Sequence, residues 1–273
     1  MTDAATTSDF VLRLRCPDRP GIVHAVSGFL VNQDANIVAS AQYGDAETGR
    51  FFMRVEFETA HPTTSDRLRA HFANVADEYG MWWELWRAEA SYRTLIMVSR
   101  TGHCLHDMLY RWSAGSLQIE IPAIVSNHRD LEGLAAQYGI PFHHVPVTPE
   151  TKAEAEAQLL DLVSSLEIDL VVLARYMQVL SDETCRRLSG QAINIHHSFL
   201  PSFKGARPYH QAHARGVKLI GATTHYVTSD LDEGPIIEQD VVRVGHRDGV
   251  DSLIRQGADV ERSVLLRAVR WFC

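Results

Sequence analysis

Hydrophobic and polar residues alternate in the first part of the chain in a way that predicts strands, and two stretches between them have helical spacing. Residues 10–15 read Phe-Val-Leu-Arg-Leu-Arg, which is the two-residue period of a half-buried strand. After a turn rich in Pro and Gly, apolar residues recur at helical spacing over 22–33. Further strands are predicted over 35–43, 50–58 and 81–87, and a second helix over 63–79. The order of elements over residues 8–88 is therefore βαββαβ.

A different pattern begins near residue 93, where the predicted strands become continuously apolar. Residues 94–99 form such a run, which suits the buried centre of a parallel sheet. Helices and strands then alternate, with helices over 103–113, 130–138 and 149–166 and strands over 117–125, 142–147 and 168–174. This alternation predicts a doubly wound domain whose ligand site lies at the carboxyl ends of the strands.

The two patterns together predict an α/β protein with two domains. The first, over residues 8–88, has the element order of a ferredoxin-like βαββαβ domain. The second, over residues 93–273, is expected to be a doubly wound domain with a mostly parallel sheet.

Composition narrows the functional classes. The chain has 273 residues and a formal net charge of −8, so a broad nucleic-acid-binding surface is not expected. No apolar run reaches membrane-spanning length, and the first residues lack the basic-then-apolar pattern of a signal peptide. Its 4 cysteines are scattered and form no CxxC pair, so neither a disulfide framework nor a metal cluster is predicted. A cytoplasmic protein without a metal fits these features.

The candidate chemistry lies in two segments about thirty residues apart. Asn194 and His196 stand at i and i+2, and on a strand their side chains would share one face. Asp232 lies in a later loop that contains Gly and Pro. Alone, His196 is more often a structural histidine and Asp232 an ordinary turn residue. Together, an amide donor, an imidazole and a carboxylate are the groups needed to stabilise an oxyanion and move a proton in acyl transfer.

The sequence around these residues resembles the folate-dependent formyltransferase family. The resemblance spans about residues 93–245 and rests on Asn-Ile-His-His-Ser-Phe-Leu-Pro-Ser-Phe-Lys-Gly at 194–205, Gly-Ala-Thr-Thr-His at 221–225 and Asp-Leu-Asp-Glu-Gly-Pro-Ile-Ile at 230–237. It implies that Asn194 is the oxyanion donor, His196 the proton-transfer partner and Asp232 the acid beside it. It also implies that His225 supports Asp232.

The same resemblance implies a pocket for the folate ring. In the family, the segment after the strand at 168–174 lines the pterin pocket, and residues 229–234 form the loop on the other side of the folate. A Met and a Leu at helical spacing are otherwise usually core residues. The implied folate contacts are Arg175, Tyr176, Met177, Val179, Leu180, Ser229, Asp230, Leu231 and Gly234.

The turn over residues 99–107 departs from the family's nucleotide-modifying members. Those members carry a Gly- and Ser-rich turn there that holds a substrate phosphate, whereas this chain has a single glycine and the bulky His103 and Leu105. His197 also stands where those members usually have Pro. The resemblance then implies that water is the acceptor: 10-formyltetrahydrofolate would be hydrolysed to tetrahydrofolate and formate, which balances one-carbon pools and supplies formate for purine biosynthesis. No cofactor would be required.

Two other functions stay open. One is transfer of the formyl group to an amine, as on glycinamide ribonucleotide or a tRNA, and such an enzyme would release almost no formate without its acceptor. The other is an amino-acid-binding regulator with an inactive folate domain, against which the intact Asn194, His196 and Asp232 argue.

The N-terminal domain resembles the ACT family of small regulatory domains. The resemblance rests on the βαββαβ order and on the turn Asp18-Arg19-Pro20-Gly21-Ile22. In that family the turn contacts an amino acid or a neighbouring subunit, and a turn at a helix N-terminus can receive a carboxylate on its free N–H groups. The simpler interpretation is that Pro20 and Gly21 only begin a helix. The resemblance implies an amino-acid effector, glycine or methionine, and a homo-oligomer, either a dimer or a tetramer.

Overall fold

A computed structural model of the chain describes residues 8–88, 91–202 and 207–273. The chain divides into two compact units, with the boundary between residues 90 and 91. In the described ranges, no helix is both long and apolar enough to cross a membrane.

The first unit is a four-stranded antiparallel sheet with two helices. Its elements are β1 (Ser8–Pro17), α1 (Ile22–Asn32), β2 (Ala35–Asp45), β3 (Arg50–Thr59), α2 (Ser65–Tyr79) and β4 (Trp82–Arg87). The strand order is β2-β3-β1-β4. Alternate residues of β1, among them Phe10, Leu12 and Leu14, are buried, because the period-2 pattern puts one face of the sheet against α1 and α2. The ferredoxin-like element order predicted for this half is confirmed.

The second unit is built on a seven-stranded sheet in the order β11-β10-β9-β8-β5-β6-β7. Its strands are β5 (Tyr92–Val98), β6 (Ile119–Ser126), β7 (Phe142–His144), β8 (Leu170–Leu173), β9 (Ala192–His196), β10 (Leu219–Tyr226) and β11 (Ile236–Arg243). Its helices are α3 (His103–Ser113), α4 (Glu132–Gln137), α5 (Lys152–Ser165), α6 (Asp182–Arg187), α7 (Pro208–Ala214) and α8 (Val250–Phe272). Strands β5 to β9 are parallel, and β10 runs antiparallel to both of its neighbours. The predicted α/β class with a mostly parallel sheet is confirmed.

The centre of this sheet is buried on both faces, as its continuous apolar strands predicted. Residues 94–98 of β5 are at most 1% exposed, and the two faces of the sheet contribute to two separate apolar clusters. Chain order reverses between β5 and β8, since β6 and β7 lie on one side of β5 and β8 to β11 on the other. The carboxyl ends of the strands at this reversal are where a ligand is expected in such folds.

Candidate active site

Asn194 and His196 lie in β9, near its carboxyl end. Their register with the antiparallel β10 places His225 opposite Asn194 and Thr223 opposite His196. Cross-strand partners project on the same face, so Asn194, His196 and His225 converge there. Asn194 Nδ2 lies 3.3 Å from His225 Nε2. Asn194 and His196 therefore share a face, as their spacing predicted, and His225, which was expected beside Asp232, also contacts the Asn194 amide.

Asp232 reaches the same point from the loop between β10 and β11. Its Oδ1 lies 3.2 Å from His196 Nδ1 and 3.7 Å from His225 Nε2. Its backbone is in the left-handed region, with φ at 58°, a conformation that a non-glycine residue adopts only at a cost. Packing and hydrogen bonds of the loop must therefore hold Asp232 in this conformation, which aims the carboxylate at the two imidazoles.

The charge state of Asp232 follows from this environment. Burial would raise the pKa of its carboxyl, but the hydrogen bond from His196 Nδ1 and the neighbouring His225 ring outweigh burial and hold the pKa well below its usual range. Asp232 is therefore a carboxylate at neutral pH, which suits a group that orients water through its charge.

The two imidazoles differ in how their second nitrogen is used. His225 Nδ1 lies 2.9 Å from the carbonyl of Tyr226, which requires a proton on that nitrogen. His196 Nε2 is buried and has no hydrogen-bond partner among the described residues. His225 is thus anchored at its far end, whereas His196 keeps one nitrogen free for chemistry.

A pocket of about 480 Å³ opens beside these groups, within the range of small-molecule sites. Asn194, His196, His225 and Asp232 all line it. Predicted folate contacts that also line it are Arg175, Tyr176, Met177, Val179, Leu180, Ser229 and Leu231. Both predicted sides of the folate pocket, the segment after β8 and the loop after β10, therefore border one cavity.

Two predicted folate contacts, Asp230 and Gly234, do not line that cavity and instead build the loop that carries Asp232. The carbonyl of Asp230 accepts hydrogen bonds from Thr228 Oγ1 at 3.0 Å and from the Glu233 amide at 3.2 Å. A Cβ at Gly234 would lie 1.8 Å from the carbonyl oxygen of Tyr226, so only glycine fits. Their positions support a structural role.

Some pocket residues were not predicted from the sequence. They are Leu173, Gln178, Cys185, Ile195, His197, Arg207, Val227 and Thr228. Gln178 and Thr228 lie inside or beside segments that the resemblance named, so extending those segments would have included them. Nothing in the sequence pointed to Arg207 as a pocket residue. In the structure its φ is 55°, so it shares the left-handed backbone conformation of Arg175 and Asp232. Residues 203–206 of the quoted family motif lie outside the described residues.

The segment that follows β8 is tied to the first strand of the parallel sheet. The Ser99 amide donates to the Arg175 carbonyl at 3.2 Å, and the Met177 amide donates to Ser99 Oγ at 2.9 Å. Ser99 Oγ in turn donates to Asn127 Oδ1 at 2.7 Å. Because Arg175 has a φ of 68°, these bonds hold a strained turn that leads Tyr176 and Met177 into the pocket wall.

The turn predicted to have lost a phosphate site is occupied by side chains. His103, the first residue of α3, lies with its Nε2 2.8 Å from the carboxylate of Glu261 in α8. A Cβ at Gly102 would lie 2.6 Å from Leu131, so the turn is also closely packed. His103, Cys104 and Glu261 could bring three ligand atoms together. Burial raises the pKa of the Cys104 thiol well above its usual range, and Arg175 lies 3.5 Å from the same carboxylate, so a cation is disfavoured there.

The turn named for the ACT-like domain lies between β1 and α1. Asp18, Arg19, Pro20 and Gly21 are exposed, and Gly21 begins α1 with a φ of 97°. The Arg19 guanidinium donates to the Glu78 carbonyl at 2.6 Å and lies over the Tyr79 ring. Ile22 is 2% exposed and packs into the core of this unit. The first four residues are accessible to a ligand or subunit, whereas Ile22 supports the turn from below.

Comparisons with known proteins match both units. A family model described as "Formyl transferase" matches residues 92–269, and one described as "ACT domain" matches residues 10–71. The formyltetrahydrofolate deformylase of Corynebacterium sp. (strain P-1) is 53% identical over 264 residues, 96% of this chain and 92% of that protein. The formyltetrahydrofolate deformylase of Bacillus subtilis (strain 168) is 49% identical, over 95% of this chain and 87% of that protein.

Two of the solved structures that are similar to this chain illustrate how far its fold is shared. A formyltetrahydrofolate deformylase from Pseudomonas syringae pv. tomato has a TM-score of 0.93 and 48% identity, covering 98% of this chain and 90% of that one. A glycinamide ribonucleotide transformylase from Symbiobacterium toebii has a TM-score of 0.63 and 30% identity, covering 69% of this chain and 91% of that one. The similarity to the deformylase extends over nearly the whole chain.

Proposed function

The chain belongs to the formyl transferase family and, within it, to the formyltetrahydrofolate deformylases, and from this premise we propose how its residues perform the hydrolysis of 10-formyltetrahydrofolate. The folate occupies the 480 Å³ pocket, with its ring against the segment after β8 and its formyl group at Asn194. Water is the acceptor, and the products are tetrahydrofolate and formate. The proposed chemistry uses no metal or organic cofactor.

Asn194 is proposed to stabilise the tetrahedral intermediate. When water attacks the formyl carbon, the carbonyl oxygen becomes an oxyanion, and an amide N–H in a buried site stabilises such a charge far better than bulk water does. The His225 ring, 3.3 Å from Asn194 Nδ2 and anchored on the Tyr226 carbonyl, holds this amide in place. Preorganisation of the donor is what lowers the barrier.

Asp232 and His196 are proposed to move the protons. Asp232 orients the attacking water and accepts its proton, which its charged state permits. In this proposal His196 acts as the imidazolium. Its Nδ1–H donates to Asp232, 3.2 Å away, and its Nε2–H first donates to the oxyanion and then protonates N10 as the C–N bond breaks. The proton that Asp232 accepted from water is then released to solvent, from which Nε2 regains a proton, and the formic acid formed loses its proton to give formate. The observation that carries this assignment is the convergence of Asn194, His196 and Asp232 at one wall of the pocket.

A direct test is formate release without any amine acceptor. The purified chain should convert 10-formyltetrahydrofolate to equal amounts of formate and tetrahydrofolate, and Asn194→Ala should lower kcat about 10²–10³-fold, the usual loss for one oxyanion donor. Asn32→Ala, which removes an exposed amide at the end of α1, is the matched control. Formate release that requires an added amine would instead indicate a transferase.

The match of residues 10–71 to the ACT domain supports a regulatory first unit. We propose that the exposed turn over residues 18–21 receives an amino acid, glycine or methionine, and that the protein assembles as a homo-oligomer, a dimer or a tetramer. In the cell, the reaction would balance one-carbon pools and supply formate for purine biosynthesis. A reducing compartment such as the cytoplasm suits the four unpaired cysteines.

A further inference from the structure

Residues 175–180, between β8 and α6, form the pocket wall against which the folate ring is proposed to lie. They belong to no helix or strand. The first part of this wall is bound to Ser99 through the Arg175 carbonyl and the Met177 amide. In the part of the chain that the structure describes, the amides of residues 178–180 donate no hydrogen bond. The position of these residues therefore depends on how the far end of the wall is held.

The wall also has space behind it. Tyr176, Gln178, Val179 and Leu180 line the pocket and, in addition, a second and much smaller cavity. That cavity has a volume of about 10 Å³, which is room for about one water molecule. Packing constrains a segment that borders two open spaces less than it constrains a close-packed core segment. Hydrogen bonds at the two ends of the wall consequently matter more.

The far end of the wall is bound to Glu156, a residue of α5 whose side chain is 12% exposed. The carboxylate accepts hydrogen bonds from the Ser181 amide at 2.9 Å, from Ser181 Oγ and from Thr184 Oγ1 at 2.6 Å. Ser181 is also the N-cap of α6, since its hydroxyl accepts from the Thr184 amide at 3.3 Å. Glu156 therefore fixes the point at which the wall ends and α6 begins.

Glu156 is separate from the groups that carry the proposed chemistry. It lines the small cavity behind the wall but does not line the pocket. Asn194 and His196 lie in β9, and Asp232 lies in the loop between β10 and β11. A change at Glu156 should therefore reach the folate through the wall and leave the reacting groups in place.

We propose that Glu156 is a positioning residue that holds residues 178–180 of the wall against the folate ring. It acts through Ser181 and Thr184, and it contacts neither the substrate nor the reacting atoms. Glu156 then determines the affinity for the folate rather than the rate of the chemical steps. This inference rests on the proposed function, in which the folate ring lies against this wall.

The test is to remove the carboxylate and measure the Kd for the product tetrahydrofolate by isothermal titration calorimetry. Glu156→Ala deletes all of the hydrogen bonds to Ser181 and Thr184 Oγ1. A wall released at one end must be ordered again when the folate binds, and ordering the backbone of even one residue costs about a factor of ten. We expect this Kd and the KM for 10-formyltetrahydrofolate to rise at least about tenfold, with kcat within about threefold.

Glu154→Ala, which removes an exposed carboxylate from the same helix, is the matched control and should leave the Kd, KM and kcat unchanged. A purely structural role for Glu156 would lower the free energy of unfolding but leave the Kd of the folded protein as it was. A Kd and KM for Glu156→Ala within twofold of the unaltered protein would overturn the proposal, and so would a fall in kcat alone.

Ser181→Ala provides a second arm, because it removes one hydroxyl and keeps the amide that bonds to Glu156. Alone it should raise the Kd about threefold, which decides the matter if Glu156→Ala does not fold, and an unchanged Kd contradicts the inference. In the Ser181→Ala protein, Glu156→Ala should raise the Kd by a smaller factor than in the unaltered protein, since the two residues act together. An equal factor in both proteins contradicts a role exerted through Ser181.

The binding of tetrahydrofolate does not depend on turnover. Formate release by the unaltered enzyme therefore decides separately whether the proposed function stands, and the Kd values of the variants decide the role of Glu156.

Discussion

Asp232 is a half-buried carboxylate and Glu261 a buried one, and both contact histidines, but their surroundings suit them to different roles. Asp232 sits on a loop, 10% exposed, beside His196, whose Nε2 has no hydrogen-bond partner among the described residues. Glu261 sits on a long helix, is 2% exposed, and accepts hydrogen bonds from His103 and Tyr209, while the Arg175 guanidinium lies 3.5 Å away. A carboxylate at the wall of a pocket can act on a substrate, whereas one whose oxygens accept hydrogen bonds inside the core fixes structure. The comparison separates a reactive carboxylate from a structural one.

The largest effect on activity is expected when Asp232, the reactive carboxylate, is neutralised. Asp232→Asn removes the proton acceptor but keeps the side-chain size, so kcat for formate release should fall about 10²–10⁴-fold, the usual range for general base catalysis. The free energy of unfolding should also fall at neutral pH, because the folded state loses the charged carboxylate that pairs with His196, so kcat is measured where both proteins are folded. Steady-state kinetics with denaturation curves decide this. Asp251→Asn, an exposed first-turn residue of α8, is the control. A kcat within threefold of the unaltered enzyme would remove Asp232 from the mechanism.

His197 lies between the two carboxylates and should make stability depend on pH. Burial, followed by the charge of Arg175, lowers its pKa from 6.5 to about 3. Between those values the unfolded chain binds a proton that the folded chain does not, so stability falls as the pH is lowered. We expect a loss of about 2 kcal/mol between about pH 6 and pH 4.5, by urea denaturation. Asp232 and Glu261, whose pKa values are also lowered, begin to lose their contributions near about pH 5 and lose most of them below this window.

The variant His197→Gln should flatten that pH dependence. The exposed His213→Gln should leave it unchanged. A slope that survives in His197→Gln would assign the dependence to other groups.

The cluster around Glu261 can be weakened without changing Asn194, His196 or Asp232. Tyr209→Phe removes one hydroxyl that donates to Glu261 at 2.6 Å, and a hydrogen bond to a charged group contributes about 1.5–3 kcal/mol. We expect a loss of about 2 kcal/mol in the free energy of unfolding, measured in urea, with kcat for formate release within about threefold. Tyr110→Phe, at a tyrosine that is 65% exposed, controls for loss of a hydroxyl. A large fall in kcat with unchanged stability would mean that Tyr209 belongs to the reactive cluster.

The sequence predicted the two clusters unequally, for a physical reason. Asn194 and His196 are two residues apart on a strand, and His225 belongs to a motif, so local pattern and resemblance together placed them at one site. Glu261 is separated from Tyr209 by 52 residues and from His103 by 158, and no local pattern encodes such pairing. One signal was available: Glu261 falls in the apolar stripe of its helix, where a charge requires a partner.

In the N-terminal unit, too, the sequence pattern predicted local structure but not contacts between distant residues. Its alternating pattern predicted the strands of the βαββαβ order to within a few residues, because one face of the sheet is buried. The pattern could not show that Arg19 bonds to the end of α2 or that Ile22 faces the core, since both depend on how α1 and α2 pack.

The smallest expected effect concerns the outer wall of the reactive site. Leu231 is 59% exposed and lines the pocket from the loop that carries Asp232. If a folate covers it, Leu231→Ala forfeits roughly 1 kcal/mol of apolar burial, which raises KM about fivefold. Since the side chain does not reach the reacting atoms, kcat should stay within twofold, in contrast to Asp232→Asn one residue away. Val241→Ala, which removes a similarly exposed apolar side chain from β11 outside the pocket lining, should leave both constants unchanged. An unchanged KM in Leu231→Ala would mean that the folate does not contact this side of the loop.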